Sequence, residues 1–567
     1  MPGRSHQVAL VRSTAPSDAG LVDRSCLESL DDRLWLLGEV RLDGAQDLRR
    51  RLTATGRSAA ATAGQATLCL LAYDQWGEQC LDLIAGDFAF VIWDDRRQCL
   101  FAARDRLGKR QLFHGRNRSA GVVGNSLDSV VAIAAPGRET DDYWIADFLT
   151  LGASREAHRT AYRDVARVPP AHALRWSADG AACRRYWRLD VPEPLYLPRR
   201  TDYLERFRDL VQQAIADRLP PSGDVGISMS GGLDSTTLAA LAVRQTGSPQ
   251  RVSAAFAHLE RQPEIREDAF ARLAANHLGI DLDIVPYDDM NYDPQWQSRG
   301  IRSPEPLHGI FNAHYVRDLN RTLAARHAVW LEGEGPDNAL AFDRDAYLSW
   351  LFGRRAWRRL AGSLLSYALV KGRRGWLETL RRHARPATDG DAGDPVPRWI
   401  APGLVQRLHL RQRIEELGDG GDGSHPWHPA AVRSITGPAW PRHFADFAFE
   451  EALSPLQWQH PYFDLRVLEF MLGVPPIPWA WKKHLVRQAM KGWLPEPLLE
   501  RPKTGVPVRA DLALLARHGP PSPMAPARLD GYVDRHLLPA ADGPEGEVLQ
   551  SLAAYAVDHW LATSPVT

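Results

Sequence analysis

The stretch SMSGGLDSTT, Ser228 to Thr237, follows a short apolar run and opens a helical pattern. Gly231 and Gly232 let the backbone close on a ligand. A helix N-terminus offers successive free N–H groups, which bind anions and phosphate above all. The hydroxyls of Ser230, Ser235 and Thr236 add donors. An aspartate in a phosphate cradle makes sense when a cation sits between them, and Mg2+ held by Asp234 and phosphate oxygens fits that demand. The loop lacks the Gly-Lys-Ser/Thr ending of a Walker loop. The plainer alternative is a strand-to-helix turn in which Asp234 caps the helix. Two more stretches carry charge where chemistry needs it. WLEGEGPDNAL (Trp330 to Leu340) puts Gly333, Glu334 and Asp337 in a glycine-rich loop after an apolar run, and AWKKHLVRQAM (Ala480 to Met490) starts a basic helix with Lys483. Taken singly, each also reads as surface charge.

These residues need a frame. From Asp224 the pattern runs apolar strand, glycine turn, helix, then strand (RVSAAFAHL), helix (EDAFARLAANHLG) and strand (DLDIVPY). Strands alternating with helices predict a parallel sheet covered on both faces. A helix from Thr201 to Arg218 is amphipathic through Tyr203, Phe207, Leu210, Val211 and Ile215. Before it, Pro192, Pro194 and Pro198 mark a linker. The front third reads mainly as short strands, with a hairpin turn at DDRRQ inside DFAFVIWDDRRQCLFAARD and a helix over Gly64 to Trp76. Beyond Trp350 the chain is mostly helical, with polar glycine-rich loops at 389–397 and 418–426. Residues 1–190 and 200–567 thus form two units, a layered α+β domain and a parallel-sheet α/β domain with a helical C-terminal part.

The bulk properties exclude several classes. A chain of 567 residues exceeds one ordinary core. Lys plus Arg equals Asp plus Glu, so no global field draws in nucleic acid or an anionic membrane. No apolar run reaches the length of a membrane span. Five scattered cysteines, without metal-finger spacing, predict reduced and mostly buried thiols in a cytoplasmic protein.

The glycine turn resembles the SGG-x-DS loop of the ATP pyrophosphatases, which grip pyrophosphate and cleave ATP to AMP. The loop GEGPD, the basic helix headed by Lys483 and the segment HPYFD (His460 to Asp464) follow in the order of the asparagine synthetase family, with Tyr462 where the family has Phe. Upstream, LIAGDFAFVIWDDRRQCLFAARDRLGKRQLF and GEVRLDG resemble the class II glutamine amidotransferase domain, with Gln111 in place of a usual proline. The resemblance implies ATP and Mg2+ as cofactors. It implies nucleotide contacts at Ser228, Met229, Ser230, Gly231, Gly232, Asp234, Ser235, Gly333 and Lys483, and metal at Asp234 and Asp337. Glu334 is implied as the base that takes or orients the amine's proton, and Lys483 as the cation facing pyrophosphate or the tetrahedral oxyanion. The strand up to Met229, with Val225 to Ile227, is expected to line the adenine pocket through backbone contacts.

That family releases ammonia with an N-terminal cysteine, whereas residue two here is Pro2 and no cysteine precedes Cys26. The expectation is a front domain that does not deaminate glutamine. Family members that keep the scaffold without the cysteine include β-lactam synthetases and lasso-peptide macrolactam synthetases. Asparagine synthetases usually read GSDE where this chain has GPDN, Gly335 to Asn338, which points to a remodelled acceptor site. The resulting expectation is a macrolactam synthetase of the lasso-peptide type. Its implied partners are a precursor (core) peptide, a leader-binding protein and a leader peptidase, with no nucleic acid and no membrane. An ammonia-dependent asparagine synthetase, a β-lactam synthetase, a non-catalytic scaffold and a tRNA-modifying ATP pyrophosphatase are the alternatives. His308, Asn312 and Tyr315 are candidates for the acceptor site. The Arg- and Trp-rich stretch from Trp350 to Trp376 suits a peptide-binding surface or a solvated helix pair.

Overall fold

The computed structural model describes residues 25–564 apart from 119, 136, 192, 259–266, 384–393, 419–422 and 503–509. Pro2 lies outside the described residues, as do parts of both glycine-rich loops.

Apolar strands rich in β-branched and aromatic residues build the front sheet. Strands β1 (Cys26–Leu30), β2 (Leu34–Leu42), β3 (Gly86–Asp94) and β4 (Cys99–Arg104) pair antiparallel in that order. The predicted hairpin joins β3 to β4, with Trp93 opposite Leu100 and Gln98 at φ 50° closing the turn. Helices α1 (Ala45–Ala54) and α2 (Gln65–Trp76) lie between β2 and β3, the second over the expected span with Gly64 as its N-cap. Leu68 and Leu71 of α2 share a core with Leu34, Leu36, Phe88, Phe90 and Phe101 of the sheet. A smaller antiparallel sheet comprises β5 (Phe113–Arg116), β6 (Gly121–Gly124) and β7 (Val165–Arg167), with α3 (Leu127–Ala134) and α4 (Asp142–Leu151) beside it. Strands β8 (His172–Ser177) and β9 (Gly180–Arg185) extend the first sheet.

After the proline-rich stretch, α5 (Arg200–Ala216) buries the predicted face from Tyr203 to Ile215. Then come β10 (Val225–Ser228), α6 (Leu233–Thr246), β11 (Val252–His258), α7 (Glu267–Leu278), β12 (Asp281–Pro286), α8 (Ala313–Arg326) and β13 (Val329–Leu331). With β14 (Gln457–Gln459) they make a parallel sheet in the order β12-β11-β10-β13-β14. Short α9 (Pro336–Ala339) follows β13. Side by side, β10 and β13 direct their carboxyl ends to one edge, where open α/β sheets bind ligands. Their close packing needs Gly226, since a Cβ there would lie 2.2 Å from the buried Trp330 ring.

The two sequence blocks do not keep separate cores. Val130, Trp144 and Phe148 from α3 and α4 pack in one cluster with Trp399 and with Tyr555 and Trp560 of the helix Glu545–Thr563. A buried ion network also joins the blocks. Arg218, fully buried, reaches Asp43 at 3.0 Å in the front block and Asp464 at 3.1 Å in the other. Arg41 continues the chain to Asp43 and Asp87, and Lys109 meets Asp87 at 3.0 Å.

The Arg- and Trp-rich stretch forms a helix pair, α10 (Arg344–Gly353) and α11 (Trp357–His383), on which Phe352, Trp357 and Leu365 stand exposed. All five cysteines are free, with Cys69, Cys80 and Cys99 buried. Among the described residues no helix is long and apolar enough to cross a membrane.

Candidate active site

The loop between β10 and α6 takes its shape from two glycines. Gly231 sits at φ +70°, and a Cβ there would fall 2.6 Å from the Ala271 nitrogen and 2.7 Å from the Glu267 carbonyl oxygen. Both obstacles are backbone of α7, so they cannot step aside. Gly231→Ala is therefore expected to cost more than the ~1–2 kcal/mol of the left-handed backbone alone. It should lower the melting temperature and weaken nucleotide binding together, as checked by thermal shift with and without ATP. Gly232 is the N-cap of α6 and brings no side-chain acceptor to the first turn. Asp234 therefore lies inside the helix and is not its cap, against the plainer reading of the turn.

The loop is braced from several sides. The Ser230 and Ser235 hydroxyls lie 3.5 Å apart, Ser235 Oγ donates to the Gly232 carbonyl at 3.3 Å, and Thr236 Oγ1 donates to the same carbonyl at 2.8 Å. Arg501 donates to the Gly231 carbonyl at 2.9 Å while pairing with Glu267 at 2.9 Å. Tyr462, the residue that replaces the family's Phe, donates its hydroxyl to the Asp234 carbonyl at 3.0 Å. The substitution thus ties the loop to the HPYFD segment, which an apolar ring cannot do.

The charged residues converge. Lys483, held at φ 55° at the head of the helix His484–Ala489, places its ammonium against both Asp234 and Asp337, the latter at 2.7 Å. A cation thus already stands between the two carboxylates, and a donor set of two carboxylates suits a divalent ion. Gly333 brings the second loop up to the first, for a Cβ there would lie 3.0 Å from the Ser235 nitrogen. Next to it, burial and the charge of Glu334 push Glu332 up to about 7, while a hydrogen bond with Ser228 opposes the rise. The sequence reading passed over Glu332, although it lies one residue before Gly333.

Glu334 pairs with His443, whose Nε2 lies 2.7 Å from its carboxylate. Burial alone would lower His443. The hydrogen bond and charge of Glu334, with Asp446 and Glu450 behind, outweigh it and raise the imidazole above its ordinary value. Burial first, and then the Asp446 charge, push Glu450 up to about 8. His443 sits on the helix Ala439–Ala452.

Of the other expected residues, Met229 is fully buried in the core and gives its N–H to Ala255 at 2.9 Å. Val225 and Ile227 are buried too, in a strand paired on both edges. His308 lies in a 3-10 turn, stacked on Phe148 with ring centroids 4.4 Å apart, and its Nε2 is 3.1 Å from the Gly152 carbonyl. Asn312 donates to the Tyr287 hydroxyl at 3.2 Å, and Tyr315 stacks against His314. Of these three, His308 alone borders the open cavity near Glu334 that Asn338 and His443 also line.

In the front block, Glu39 of the GEVRLDG stretch accepts from Asn125 at 3.0 Å and lies 3.4 Å from Arg110, which pairs in turn with Glu451 at 2.6 Å. Gln111 accepts from Arg104 at 3.1 Å and from Arg167 at 2.7 Å. Its amide oxygen thus serves two guanidinium groups, which a proline side chain could not.

Two family profiles match the chain: a glutamine amidotransferase domain over residues 29–187, and asparagine synthase over 206–391 and 449–540. Among curated proteins, asparagine synthetase (glutamine-hydrolyzing) 3 of Bacillus subtilis is 33% identical over 37% of this chain and 34% of its own length. Amidase chyE of Penicillium rubens is 27% identical over 47% of this chain and 41% of its own. The chain thus spans well under half the length of either relative. A solved glutamine phosphoribosylpyrophosphate amidotransferase from B. subtilis aligns at 14% identity over 46% of this chain and 73% of that one, at a TM-score of 0.22. An amidotransferase-like block joined to an asparagine synthase block, with the loop, the two acids and the lysine in one place, marks the chain as a member of the asparagine synthetase family.

Proposed function

We infer that this protein uses ATP to activate a carboxylate and joins it to an amine, forming an amide bond. The observation that carries the reading is the Lys483 ammonium shared between Asp234 of the phosphate-binding loop and Asp337 of the adjoining loop. The loop amides and hydroxyls from Ser230 to Ser235 would receive the phosphates of ATP. Asp234 and Asp337 would hold Mg2+, which supplies neutralisation of phosphate charge when bound. A substrate carboxylate oxygen attacks the α-phosphorus and pyrophosphate leaves, giving an acyl-adenylate. The amine nitrogen then attacks the acyl carbon, its proton passes to Glu334, and AMP departs with its bonding pair. Lys483 offsets charge on the leaving pyrophosphate or on the tetrahedral oxyanion. His443 holds the Glu334 carboxylate in place as the proton arrives.

The finer reading is macrolactam closure, in which carboxylate and amine belong to one peptide, as in lasso-peptide synthesis with a leader-binding protein and a leader peptidase. The acceptor side supports it: Asn338, at the position of an acid in asparagine synthetases, donates to Ser434 at 2.6 Å beside an open cavity. The 33% identity to an asparagine synthetase favours a second reading, amidation of aspartate. Pyrophosphate release from Mg-ATP, with mass spectrometry of the products, separates them. A peptide with a free N-terminus and an internal acid is expected to lose one water. Asparagine formed from aspartate and ammonia, with no change in the peptide, would overturn ring closure.

A further inference from the structure

Next to Glu334 and His443 lies a cavity of about 590 Å³, open on one side. Its walls come from both blocks of the chain: Leu151 at the end of α4 with Gly152, Ala153 and Arg155 on one side, and Asn338, Arg433, Arg442, His443 and Asp446 on the other. Pockets of about 300–1,000 Å³ hold ligands well above the size of a free amino acid. The wall is rich in cations. Arg442 is committed, pairing with Asp446 at 3.0 Å and donating to the Pro306 carbonyl at 3.2 Å. Arg155 is not committed in this way. Its Nε is buried without a hydrogen-bond partner among the described residues. The acids nearest it are engaged: Asp147 pairs with Arg413 and accepts from the Ser154 hydroxyl and the Arg155 backbone N–H, and Glu156 pairs with Arg159 and Arg413. Arg155 is half-buried on the cavity wall and makes no ion pair with the described residues, so the outer nitrogens of its guanidinium can meet a bound carboxylate with charge-assisted hydrogen bonds.

We propose that the front block supplies one wall of the substrate chamber, and that Arg155 on this wall receives a carboxylate of a peptide-sized substrate. The inference rests on reading the neighbouring Glu334 and Lys483 as an amide-forming site. It gives the front block a part in substrate selection that is separate from glutamine chemistry. Arg155 is a specificity-determining residue here and takes no part in phosphate binding.

The test is calorimetric binding of two tetrapeptides to the full chain with a non-hydrolysable ATP analogue present. One peptide carries a single glutamate and the other a glutamine at the same place. The glutamate peptide is expected to bind about tenfold or more tightly than its partner, the usual worth of a hydrogen bond to a charged group. Arg155→Ala should remove that preference while leaving the glutamine peptide and the ATP analogue unchanged, and Arg155→Lys should restore part of it. Equal binding of the glutamate peptide by wild type and Arg155→Ala overturns the proposal. So does failure of both peptides to bind a protein that binds the ATP analogue. The outcome is separable from the reaction itself. With Mg-ATP in place of the analogue, Arg155-dependent binding without pyrophosphate release leaves the chamber standing and removes the ligase reading. Peptide turnover that ignores Arg155 does the reverse.

Discussion

Lys483→Met is expected to reduce pyrophosphate release about 10²–10³-fold, equivalent to roughly 3–4 kcal/mol of barrier, with the fold intact. The side chain serves the site and not the core. Its ammonium stands between Asp234 and Asp337, and removing it leaves two carboxylates facing the place where phosphate charge develops. Glu334→Gln should behave differently. Exchange of labelled pyrophosphate into ATP, which reports adenylation alone, should continue. Amide product should fall by about 10²–10⁴-fold, the usual worth of a positioned base. Equal losses in both assays for Glu334→Gln would place this carboxylate in adenylation. A Lys483→Met protein that keeps more than a tenth of wild-type pyrophosphate release would remove the lysine from the mechanism.

The second large effect concerns stability. Asp464 is fully buried, accepts from the Arg466 backbone at 3.0 Å as a helix N-cap, and faces the fully buried Arg218. Asp464→Ala strips a partner from a buried cation, which costs about 3–5 kcal/mol. Burial alone would raise this carboxylate. The hydrogen bond from Arg466 and the charge of Arg218 outweigh it and hold the group well below the usual carboxylate range. A carboxylate depressed in the folded state adds stability that is fully present above its unfolded value of about 3.9. That stability drains away as pH falls toward the folded value. Urea unfolding at pH 7 should therefore show the full deficit of Asp464→Ala, and the gap from wild type should narrow as the pH drops below about 4. A gap that stays constant with pH would mean the loss comes from packing and not from charge.

Much of this architecture was legible in the sequence because its causes are local. Runs of apolar, β-branched and aromatic residues set β2 and β3, the 3.6-residue period set the buried face of α5, and DDRRQ set the hairpin turn. The loop Ser230–Ser235 was legible for the same reason, since its glycines and hydroxyls sit together in the chain. The partnership of His443 with Glu334 was not, because 109 residues separate them and no periodicity links a helix face to a distant loop. Tyr462 read as a conservative change from Phe until its hydroxyl was found on the Asp234 carbonyl.

The apolar cluster joining Trp144 and Phe148 to Trp399, Tyr555 and Trp560 has a consequence for how the molecule can be divided. A cut in the proline-rich stretch would bare tryptophan and phenylalanine surfaces on both fragments. Neither piece is then a module that could be traded between proteins. In this chain the front block forms part of its neighbour's core.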